Sequence, residues 1–403
     1  MIKNKINFFS KLNLFFKRHK VLNVLKYLYF YFDRFICIFI KKNSEIYQKK
    51  QVLILARLAL GDAINFLSVC DIYRKLYSKN KYEITLLTTP GLEALFKNET
   101  KFDYVYSKDF ESIIVNLKKR IDLFKFVNSK HYDILIDIMG PMGCSPNLYI
   151  SAASKADEKV TLSNKAFPLV PNSLIKKTYT TIYEVNNKRL ANIDYFNKLV
   201  NLLNGNNGKY EIKFHKFKNQ KINIDLPKNY YIVFPSASSD VKKWPLEKYA
   251  KIIKRIYKKT KLPVLFCGTK IDLKDIKTLI SYIDVPYINI VGKTNIFEYI
   301  EVIKKAKFIV TNDTSSYHIG INEEIPTAII TGGYTYYGFV KYDFYNNKYR
   351  KPYIIVSKKD CFECHSNCPY IGNKNIWPCL DEITVEYAWK IINKMIDDVG
   401  DYE

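Results

Sequence analysis

The sequence predicts an α/β protein with two domains, each a parallel sheet with helices on both faces. The first observation is length, because 403 residues are more than one ordinary hydrophobic core organises. The second is that short apolar runs alternate with helical stretches in two separate series, which is typical of parallel sheets with crossover helices. The third is the polar stretch NGNNGKYEIKFHKFKNQKINIDLPKN, which lies between the two series and predicts an interdomain connection.

The first domain is predicted over residues 51–215. It opens with the apolar run QVLILA, and Asp62 is expected to cap the following helix, since a carboxylate there satisfies free N–H groups and the helix dipole. Further strands are predicted at YEITLLT, FDYVYS and YDILIDI, and helices at GLEALFK, over residues 110–127 and near residues 187–203.

The second domain is predicted over residues 228–383, followed by a C-terminal helix within residues 384–403. Its strands are YYIVFPS, PVLFCG, YINIVG, FIVTN and PTAIITGG, and its helices include PLEKYAKIIKRIYKKT, KIDLKDIKTLISYI and NIFEYIEVIKKA. Ligands bind at the carboxyl ends of strands in open parallel sheets. Two such sheets facing each other therefore predict one cleft between the domains.

The overall charge favours an anionic partner. The formal net charge is +25 and the pI is near 9.4, while 48% of the residues are hydrophobic, which excludes a disordered chain. Nucleic acid, a membrane surface and a phosphorylated substrate all fit this charge, as does a lysine-rich composition without any single basic site. No basic–aromatic motif of a nucleic-acid module is present, so we expect no nucleic-acid partner.

Residues 1–50 form a basic, aromatic extension with 12 Lys or Arg and two acids. A membrane-spanning helix is disfavoured, because Lys26, Asp33 and Arg34 each cost about 2.5–3.5 kcal/mol near the bilayer centre and cancel the apolar gain of about 4–7 kcal/mol. A helix lying in an anionic membrane interface and helices packed on the protein itself remain as interpretations. The interrupted apolar run and the missing small-residue cleavage site disfavour an export signal.

Four cysteines cluster in the segment 361–379, CFECHSNCPYIGNKNIWPC. Four thiolates at such spacing suit a tetrahedral zinc ion, with His365 as a spare ligand. A structural zinc site, disulfide bonds and free thiols are all open alternatives, and a metal here is not expected to be catalytic. The candidate ligands are Cys361, Cys364, Cys368 and Cys379.

The segment FIVTNDTSSYHIG places an acid and three hydroxyls where a predicted strand runs into a helix. Hydroxyls and free backbone N–H groups at a helix start can bind an anion. Asp313 is expected either to cap this helix or to accept hydrogen bonds from sugar hydroxyls. His318 would pair with a phosphate or hold the loop, and an N-cap with a buried histidine is the structural alternative.

Two more loops precede predicted helix starts. In FPSASSDVKKWPLEKY, serines Ser236 and Ser238 and the lysine Lys242 form a plausible diphosphate cradle. In VGKTNIFEYI, Gly292 and Lys293 lead into a helix but lack the rest of a Walker motif. Either loop alone is explained as well by a solvated connection.

Taken in order, six segments resemble the heptosyltransferase-like glycosyltransferases, glycosyltransferase family 9, which add sugars to lipopolysaccharide cores and related glycans. The resemblance covers roughly residues 51–385 and is stronger in the second half. It implies a GT-B type fold, in which two Rossmann-like domains face a central cleft and bind the acceptor and the nucleotide-sugar donor. The segments are RLALGD, PSASSDVKKWP, FCG, VGKTNIFEYI, IVTNDTSSYHIG and IPTAIITGG.

The resemblance also implies metal-independent, inverting transfer of a heptose or related sugar, often from ADP-heptose. Asp62 matches the family's acidic residue after glycine and would be the general base that activates the acceptor hydroxyl. Lys242 matches the lysine before the Trp-Pro pair and would neutralise charge on the leaving diphosphate. Since no metal is implied, lysine, hydroxyls and a helix N-terminus would carry the leaving-group stabilisation.

Donor binding is implied for residues of the second domain. Asp313 with Thr314 matches the acid–hydroxyl pair that holds the donor sugar and phosphate, and His318 matches the histidine downstream of it. The family has glycine where this chain has Ser315, which makes a non-catalytic nucleotide-sugar-binding protein the alternative function. The predicted donor-binding set is Ser236, Ser238, Gly292, Lys293, Asp313, Thr314, Ser315 and His318.

We therefore expect a cytoplasmic glycosyltransferase, peripheral at the inner face of the inner membrane. Its expected partners are a nucleotide-diphosphate sugar such as ADP-heptose, a glycolipid acceptor of the lipopolysaccharide-core or another lipid-linked type, and an anionic membrane surface. No cofactor is expected for catalysis, and the cysteine cluster is the candidate for a structural zinc.

Overall fold

The chain divides into two compact units. The first comprises Met1–Arg189 with Tyr195–Lys213, and the second comprises Leu190–Asp194 with Phe214–Glu403. Residues 1–21 and 41–46 of the N-terminal extension lie outside the described part of the chain. The structure, a computed structural model, describes residues 22–40, 47–140, 146–164, 171–185, 190–205, 207–343, 348–365, 368–371 and 375–400.

The first unit is built on a parallel sheet of six strands in the order β3-β2-β1-β4-β5-β6. A helix, α1, precedes the sheet in sequence. In chain order the elements up to residue 203 are α1 (Leu22–Phe39), β1 (Lys50–Ala56), α2 (Leu60–Leu76), β2 (Tyr82–Thr88), α3 (Glu93–Glu99), β3 (Tyr104–Ser107), α4 (Leu117–Val127), β4 (Ile134–Asp137), α5 (Pro146–Ala153), β5 (Glu158–Asn164), α6 (Asn172–Thr178), β6 (Thr181–Val185) and α7 (Asn192–Leu203).

The second unit has a parallel six-stranded sheet of the same plan, in the order β12-β11-β10-β7-β8-β9. The last helix, α13, packs on α8, β11 and β12, so the C-terminal helix belongs to this unit. The elements are β7 (Tyr231–Phe234), α8 (Leu246–Thr260), β8 (Val264–Phe266), α9 (Leu273–Ile280), β9 (Tyr287–Asn289), α10 (Ile296–Lys304), β10 (Ile309–Asn312), α11 (Ser315–Asn322), β11 (Thr327–Thr331), β12 (Tyr353–Val356), α12 (Pro378–Asp381) and α13 (Val385–Val399).

Both sheets reverse their order of strand addition beside their first strand. In the first sheet β1 lies between β2 and β4, and in the second β7 lies between β8 and β10. This is the strand order of doubly wound dinucleotide-binding folds, which bind ligands at the carboxyl ends of the strands flanking the reversal. The prediction of two Rossmann-like domains is confirmed. Most of the predicted catalytic and donor-binding residues follow β1, β7 and β10, while Gly292 and Lys293 follow β9.

The local sequence explains why the main elements form where predicted. Strand β1 is buried at every position after Lys50, and strands buried on both faces are near-continuous apolar runs. Helix α8 buries Tyr249, Ile252, Ile253 and Ile256, whose spacing of three to four residues gives the helix one apolar face. Because the apolar strand and the apolar helix face are buried, they fix the positions of the loops that carry the polar motifs.

Some boundaries differ from the prediction. The helix expected over residues 110–127 begins only at Leu117, because the Asn116 side chain caps it by accepting a hydrogen bond from the Lys119 N–H at 3.0 Å. Strand β6 was not predicted, since it ends its sheet and buries only its last residue fully. The sequence analysis also missed α5, β5, α6 and β12. Residues 207–229 contain no helix or strand, as expected for a connection.

Helix α1 packs on the first unit through one face. Phe30, Asp33 and Cys37 are buried, and Asp33 forms a buried ion pair with Arg120 of α4. The Arg120 Nε lies 2.5 Å from Asp33 Oδ1, and the guanidinium also donates to the Ile113 carbonyl at 2.9 Å. The interpretation that the extension packs on the protein therefore holds for this face of α1. Within the described residues, no helix has the length and apolar character needed to cross a bilayer.

Candidate active site

The loops after β7 and β10 bring two predicted site residues together. Lys242 ends a short 3-10 turn after β7, and Asp313 directly follows β10. The Lys242 Nζ lies 3.6 Å from Asp313 Oδ2. The contact arises because β7 and β10 are hydrogen-bonded neighbours, so their carboxyl ends open side by side. The structure thus joins a cation and a carboxylate at the reversal point of the second sheet.

Aromatic side chains surround this pair. The Lys242 Nζ lies 5.5 Å from the centre of the Tyr334 ring and 5.7 Å from that of Phe339. The Tyr334 hydroxyl donates to Asp313 Oδ2 at 3.2 Å. Burial first, and then the Asp313 charge, raise the pKa of Tyr334 far above its usual range, so this hydroxyl stays a donor. Sequence reasoning missed Tyr334, although it follows the Gly332-Gly333 end of a predicted strand.

Asn312, the last residue of β10, ties the two loops together. Its Nδ2 donates to the Pro235 carbonyl at 2.5 Å, and its Oδ1 accepts from the Tyr249 hydroxyl at 2.8 Å. The Trp244 N–H lies 3.4 Å from the same Oδ1. Asn312 is fully buried and was not predicted, because its partners lie far away in sequence. It holds the β7 loop, and hence Lys242, against the end of β10.

The two adjacent lysines of the β7 loop have different surroundings. The Lys243 Nζ lies 2.7 Å from Asp240 Oδ1 and 2.6 Å from Asp275 Oδ2. Although burial opposes it, hydrogen bonds to these two carboxylates raise the pKa of Lys243. Two carboxylates therefore already neutralise the charge of Lys243. Lys242 instead lies near Asp313 and the rings of Tyr334 and Phe339. Of the two lysines, Lys242 has the longer contact with a carboxylate.

The two predicted serines of this loop differ in exposure. Ser236 is buried, with its Oγ 3.5 Å from Asp275 Oδ2, while Ser238 is exposed. Ser236 therefore helps to hold the loop against α9. Ser238 stays a predicted phosphate donor.

The start of α11 shows how the NDTSS segment is used. The helix begins at Ser315 with Thr314 as its N-cap, so the expected capping role of Asp313 is wrong. The Asp313 carboxylate is instead turned to Lys242 and Tyr334. The hydroxyls of Thr311 and Thr314 lie 3.2 Å apart, and both Thr314 and Ser315 are half-buried. This arrangement leaves the amino end of α11 beside the Asp313 carboxylate.

His318 lies one turn further along α11 and is buried. Its Nδ1 is hydrogen-bonded to the Tyr342 hydroxyl, and the two rings stack with centres 6.1 Å apart. This contact fits the predicted role of holding a loop. The alternative pairing of His318 with a phosphate stays a prediction.

Gly292 and Lys293 follow β9, the edge strand, two strands away from β7. At a strand spacing of roughly 4.8 Å, the carboxyl ends of β7 and β9 lie about 10 Å apart on the same side of the sheet. Gly292 has φ +75°, and a Cβ there would meet the Lys270 side chain at 2.7 Å, so glycine suits this turn. Lys293 is exposed.

The packing of α10 connects this loop to α11. The Tyr299 hydroxyl of α10 lies 2.6 Å from Ser316 Oγ in the buried interior. The loop that holds Gly292 and the amino end of α11 are therefore anchored to one buried hydroxyl.

Asp62 lies in the first unit, at the carboxyl end of β1. Helix α2 begins at Leu60 with Ala59 as N-cap and without a side-chain cap, so the expected capping by Asp62 is wrong. Asp62 is the third helical residue, half-buried in the first turn, where the helix dipole favours a negative charge. Nearby, the Leu58 N–H donates to Thr89 Oγ1 at 3.1 Å, which ties the β1 loop to the β2 loop.

The predicted cysteine ligands are neighbours in the second unit. Burial, followed by the charge of the nearby Cys368, raises the pKa of the Cys361 thiol. Burial likewise raises the pKa of Cys379, which also lies near Cys368 and Cys361. None of the four forms a disulfide bond in the described part of the chain. Among the described residues, however, no group of three or more His, Cys, Asp or Glu is arranged to hold a metal ion, and the zinc site stays a prediction.

Comparison with known proteins decides the family. The profile of "Glycosyltransferase family 9 (heptosyltransferase)" matches residues 120–330, more than half of the 403 residues. The chain belongs to glycosyltransferase family 9. The matched range includes Lys242 and Asp313, and the resemblance predicted from the motifs is confirmed. As a family 9 member, the protein is a glycosyltransferase.

Relatives of this family 9 member support the assignment in sequence and in fold. The lipopolysaccharide core heptosyltransferase OpsX of Haemophilus influenzae is 23% identical over 309 residues, covering 74% of this chain and 82% of OpsX. The glycosyl transferase family 9 structure from Veillonella parvula matches with a TM-score of 0.62 and 16% identity, over 88% of this chain and 100% of that chain. Escherichia coli heptosyltransferase WaaC, solved with ADP, matches with a TM-score of 0.55 and 13% identity, over 86% and 99%. The predicted GT-B type fold is confirmed.

Proposed function

We propose that this family 9 glycosyltransferase transfers a heptose or related sugar from a nucleotide-diphosphate donor, ADP-linked, to a lipopolysaccharide-core or other lipid-linked glycan. The observation that carries the proposal is the pairing of Lys242 with Asp313 at the reversal point of the second sheet. The names of relatives support the donor and acceptor classes, since OpsX is a lipopolysaccharide core heptosyltransferase and WaaC was solved with ADP.

Lys242 and Asp313 suit opposite ends of the scissile bond. When the bond between the anomeric carbon and the diphosphate oxygen breaks, negative charge develops on the diphosphate. The Lys242 ammonium, in its aromatic surroundings, would stabilise that charge better than in water. Asp313 accepts hydrogen bonds and would hold sugar hydroxyls, with Tyr334 fixing the carboxylate. Backbone N–H groups at the start of α11 would add further donors to the phosphates.

Asp62 would act as general base in an inverting displacement. Its carboxylate would take the proton of the acceptor hydroxyl, whose oxygen attacks the anomeric carbon on the face opposite the diphosphate. One C–O bond forms, the other breaks, and the nucleoside diphosphate leaves with the electron pair. The non-catalytic alternative has Ser315 as its best support, and family membership together with Asp62, Lys242 and Asp313 speaks against it.

Thermal stabilisation by nucleotides tests the donor. A ligand that binds only the folded state raises the melting temperature by mass action. We expect ADP to stabilise the purified protein more than GDP, UDP or CDP, and we expect the Lys242→Met variant to lose most of this shift. Stabilisation by another nucleotide alone would overturn the ADP assignment, and no shift with any of the four would overturn the nucleotide-sugar donor itself.

A further inference from the structure

Helix α1 presents a second surface that the proposed transfer reaction does not use. The helix buries Phe30, Asp33 and Cys37, and its other face is open to solvent. That face carries six large apolar side chains, here named the apolar stripe. The apolar stripe consists of Leu28, Tyr31, Phe32, Phe35, Ile38 and Phe39, each between 45 and 74% exposed.

The negative charge of α1 lies on its buried face and a positive charge lies on its exposed side. Asp33 is the only acid in the sequence of the helix, and it is fully buried in the ion pair with Arg120. Arg34 is exposed at the border of the apolar stripe. No residue of α1 therefore places a negative charge on the exposed face, while the border carries a positive one. A large exposed apolar patch with such a rim marks an interaction surface.

A second cation comes from the neighbouring helix. The Lys177 Nζ of α6 donates to the Tyr31 hydroxyl at 2.6 Å and lies 5.2 Å from the centre of its ring. The sequence adds more positive charge on both sides of α1, because residues 1–50 hold 12 Lys or Arg against two acids. The partner of this surface must accept apolar side chains in the middle and cations at the edge.

We propose that α1 docks on an anionic lipid bilayer, with the apolar stripe at the headgroup–acyl boundary and Arg34 and Lys177 at the phosphates. Aromatic and aliphatic residues flanked by cations are the composition of helices that lie in a membrane interface. The buried Asp33–Arg120 pair fastens the helix to the first unit, so docking would hold this unit at the membrane. The proposal rests on α1 and not on the transfer reaction.

Charge also favours lipid over a second copy of the chain. Two apolar stripes brought face to face would bring the same cationic borders together on molecules that each carry a net charge of +25. An anionic bilayer instead attracts these cationic borders. Self-association is accordingly an outcome that the test must separate from membrane binding.

Vesicle flotation of the full-length protein tests the proposal, without donor or acceptor present. Vesicles of phosphatidylcholine alone are compared with vesicles that also contain phosphatidylglycerol. We expect binding to the mixed vesicles, and a loss of about tenfold in affinity for the double variant Ile38→Ser/Phe39→Ser. Both side chains are 74% exposed, so the melting temperature should stay the same.

The matched control is the double variant Ile271→Ser/Tyr282→Ser, which removes two exposed apolar residues from the second unit and should bind vesicles like wild type. Arg34→Gln with Lys177→Gln should weaken binding to the anionic vesicles, as should added salt. Equal binding by wild type and Ile38→Ser/Phe39→Ser overturns the proposal. The proposal is also overturned if the wild-type protein binds no vesicles and instead forms a dimer in light scattering that dissociates in the Ile38→Ser/Phe39→Ser variant.

Discussion

Lys242 Nζ lies 3.6 Å from Asp313 Oδ2, although the two residues belong to different loops of the second unit. Each charge limits the energetic cost of burying the other, since a lone carboxylate as buried as Asp313 would be strongly destabilised. The separation is longer than a close hydrogen bond, so the ammonium can approach a phosphate without first breaking a short contact. The pair therefore stabilises the two loops against each other, and in the proposed function its ammonium would also bind the diphosphate.

Replacing Lys242 by Met should lower the transfer rate about 10²–10³-fold, because one preorganised charge on the leaving diphosphate is lost. The neighbouring Lys243 provides a contrast, since Asp240 and Asp275 already hold it. Lys243→Met should lower the melting temperature but leave the transfer rate much less affected than Lys242→Met does. Steady-state kinetics and thermal unfolding on both variants check this, and an equal loss of rate in both would remove the special role of Lys242.

Asp62→Asn should lower transfer by about 10²–10⁴-fold and leave nucleotide stabilisation intact, because the amide cannot take the acceptor proton. Asp71→Asn on the same helix is the control, as Asp71 is largely exposed on α2. The measurements are product formation and the melting shift with nucleotide. Transfer at the wild-type rate by Asp62→Asn would exclude this carboxylate as the base.

Asn312→Ala should lower the free energy of unfolding by about 1–3 kcal/mol, since the Pro235 carbonyl and the Tyr249 hydroxyl lose their buried partner. Tyr249→Phe removes one of these hydrogen bonds and should cost less. The double variant should lose less than the sum, by about 0.5–3 kcal/mol, because the residues share a network. Denaturant unfolding measures this coupling, and strict additivity would contradict the network.

Donor binding gives a second readout for the same variants. Because Asn312 holds the Lys242 loop and does not face the reacting atoms in this proposal, its loss should raise the KM for the donor more than it lowers kcat. A fall in kcat alone would assign Asn312 a different role.

Lys159 should make stability depend on pH in the alkaline range. Burial, followed by the Arg34 charge, lowers the pKa of Lys159 to about 8. The unfolded chain keeps this proton up to about pH 10.4, so between these values the unfolded state binds more protons and wild-type stability rises with pH. Relative to Lys159→Met, wild type should therefore gain stability from pH 8 upwards. Melting temperatures across this range test it, and a constant difference would contradict the depressed pKa.

The sequence predicts a zinc ion at Cys361, Cys364, Cys368 and Cys379, although the described residues form no group arranged to hold a metal. Four neighbouring thiols in a short segment match the ligand set of a structural site, and metal binding would add to folding stability. Elemental analysis of the purified protein should find zinc, and a chelator should lower its melting temperature. A zinc-free protein whose thiols all react with a thiol reagent without loss of stability would exclude the site.

Local patterns in the sequence were sufficient for most of the fold. Strands β1, β7 and β10 are short apolar runs because both faces of a parallel sheet are covered, and α8 shows the spacing of an amphipathic helix. The polar motifs stand out because hydrophobicity stops where such strands end. This is why Ser236, Lys242 and Asp313 could be chosen as site residues in advance.

Only the tertiary structure decided which of these residues meet. Strand order brings Asp313 beside Lys242, assigns Asp240 and Asp275 to Lys243, and adds Tyr334 and Asn312, and these contacts join residues far apart in sequence. The same holds for α1, whose periodicity shows an apolar helix but not which face is covered. The buried Asp33–Arg120 ion pair determines that face, because burying a charged side chain is costly unless an opposite charge compensates it.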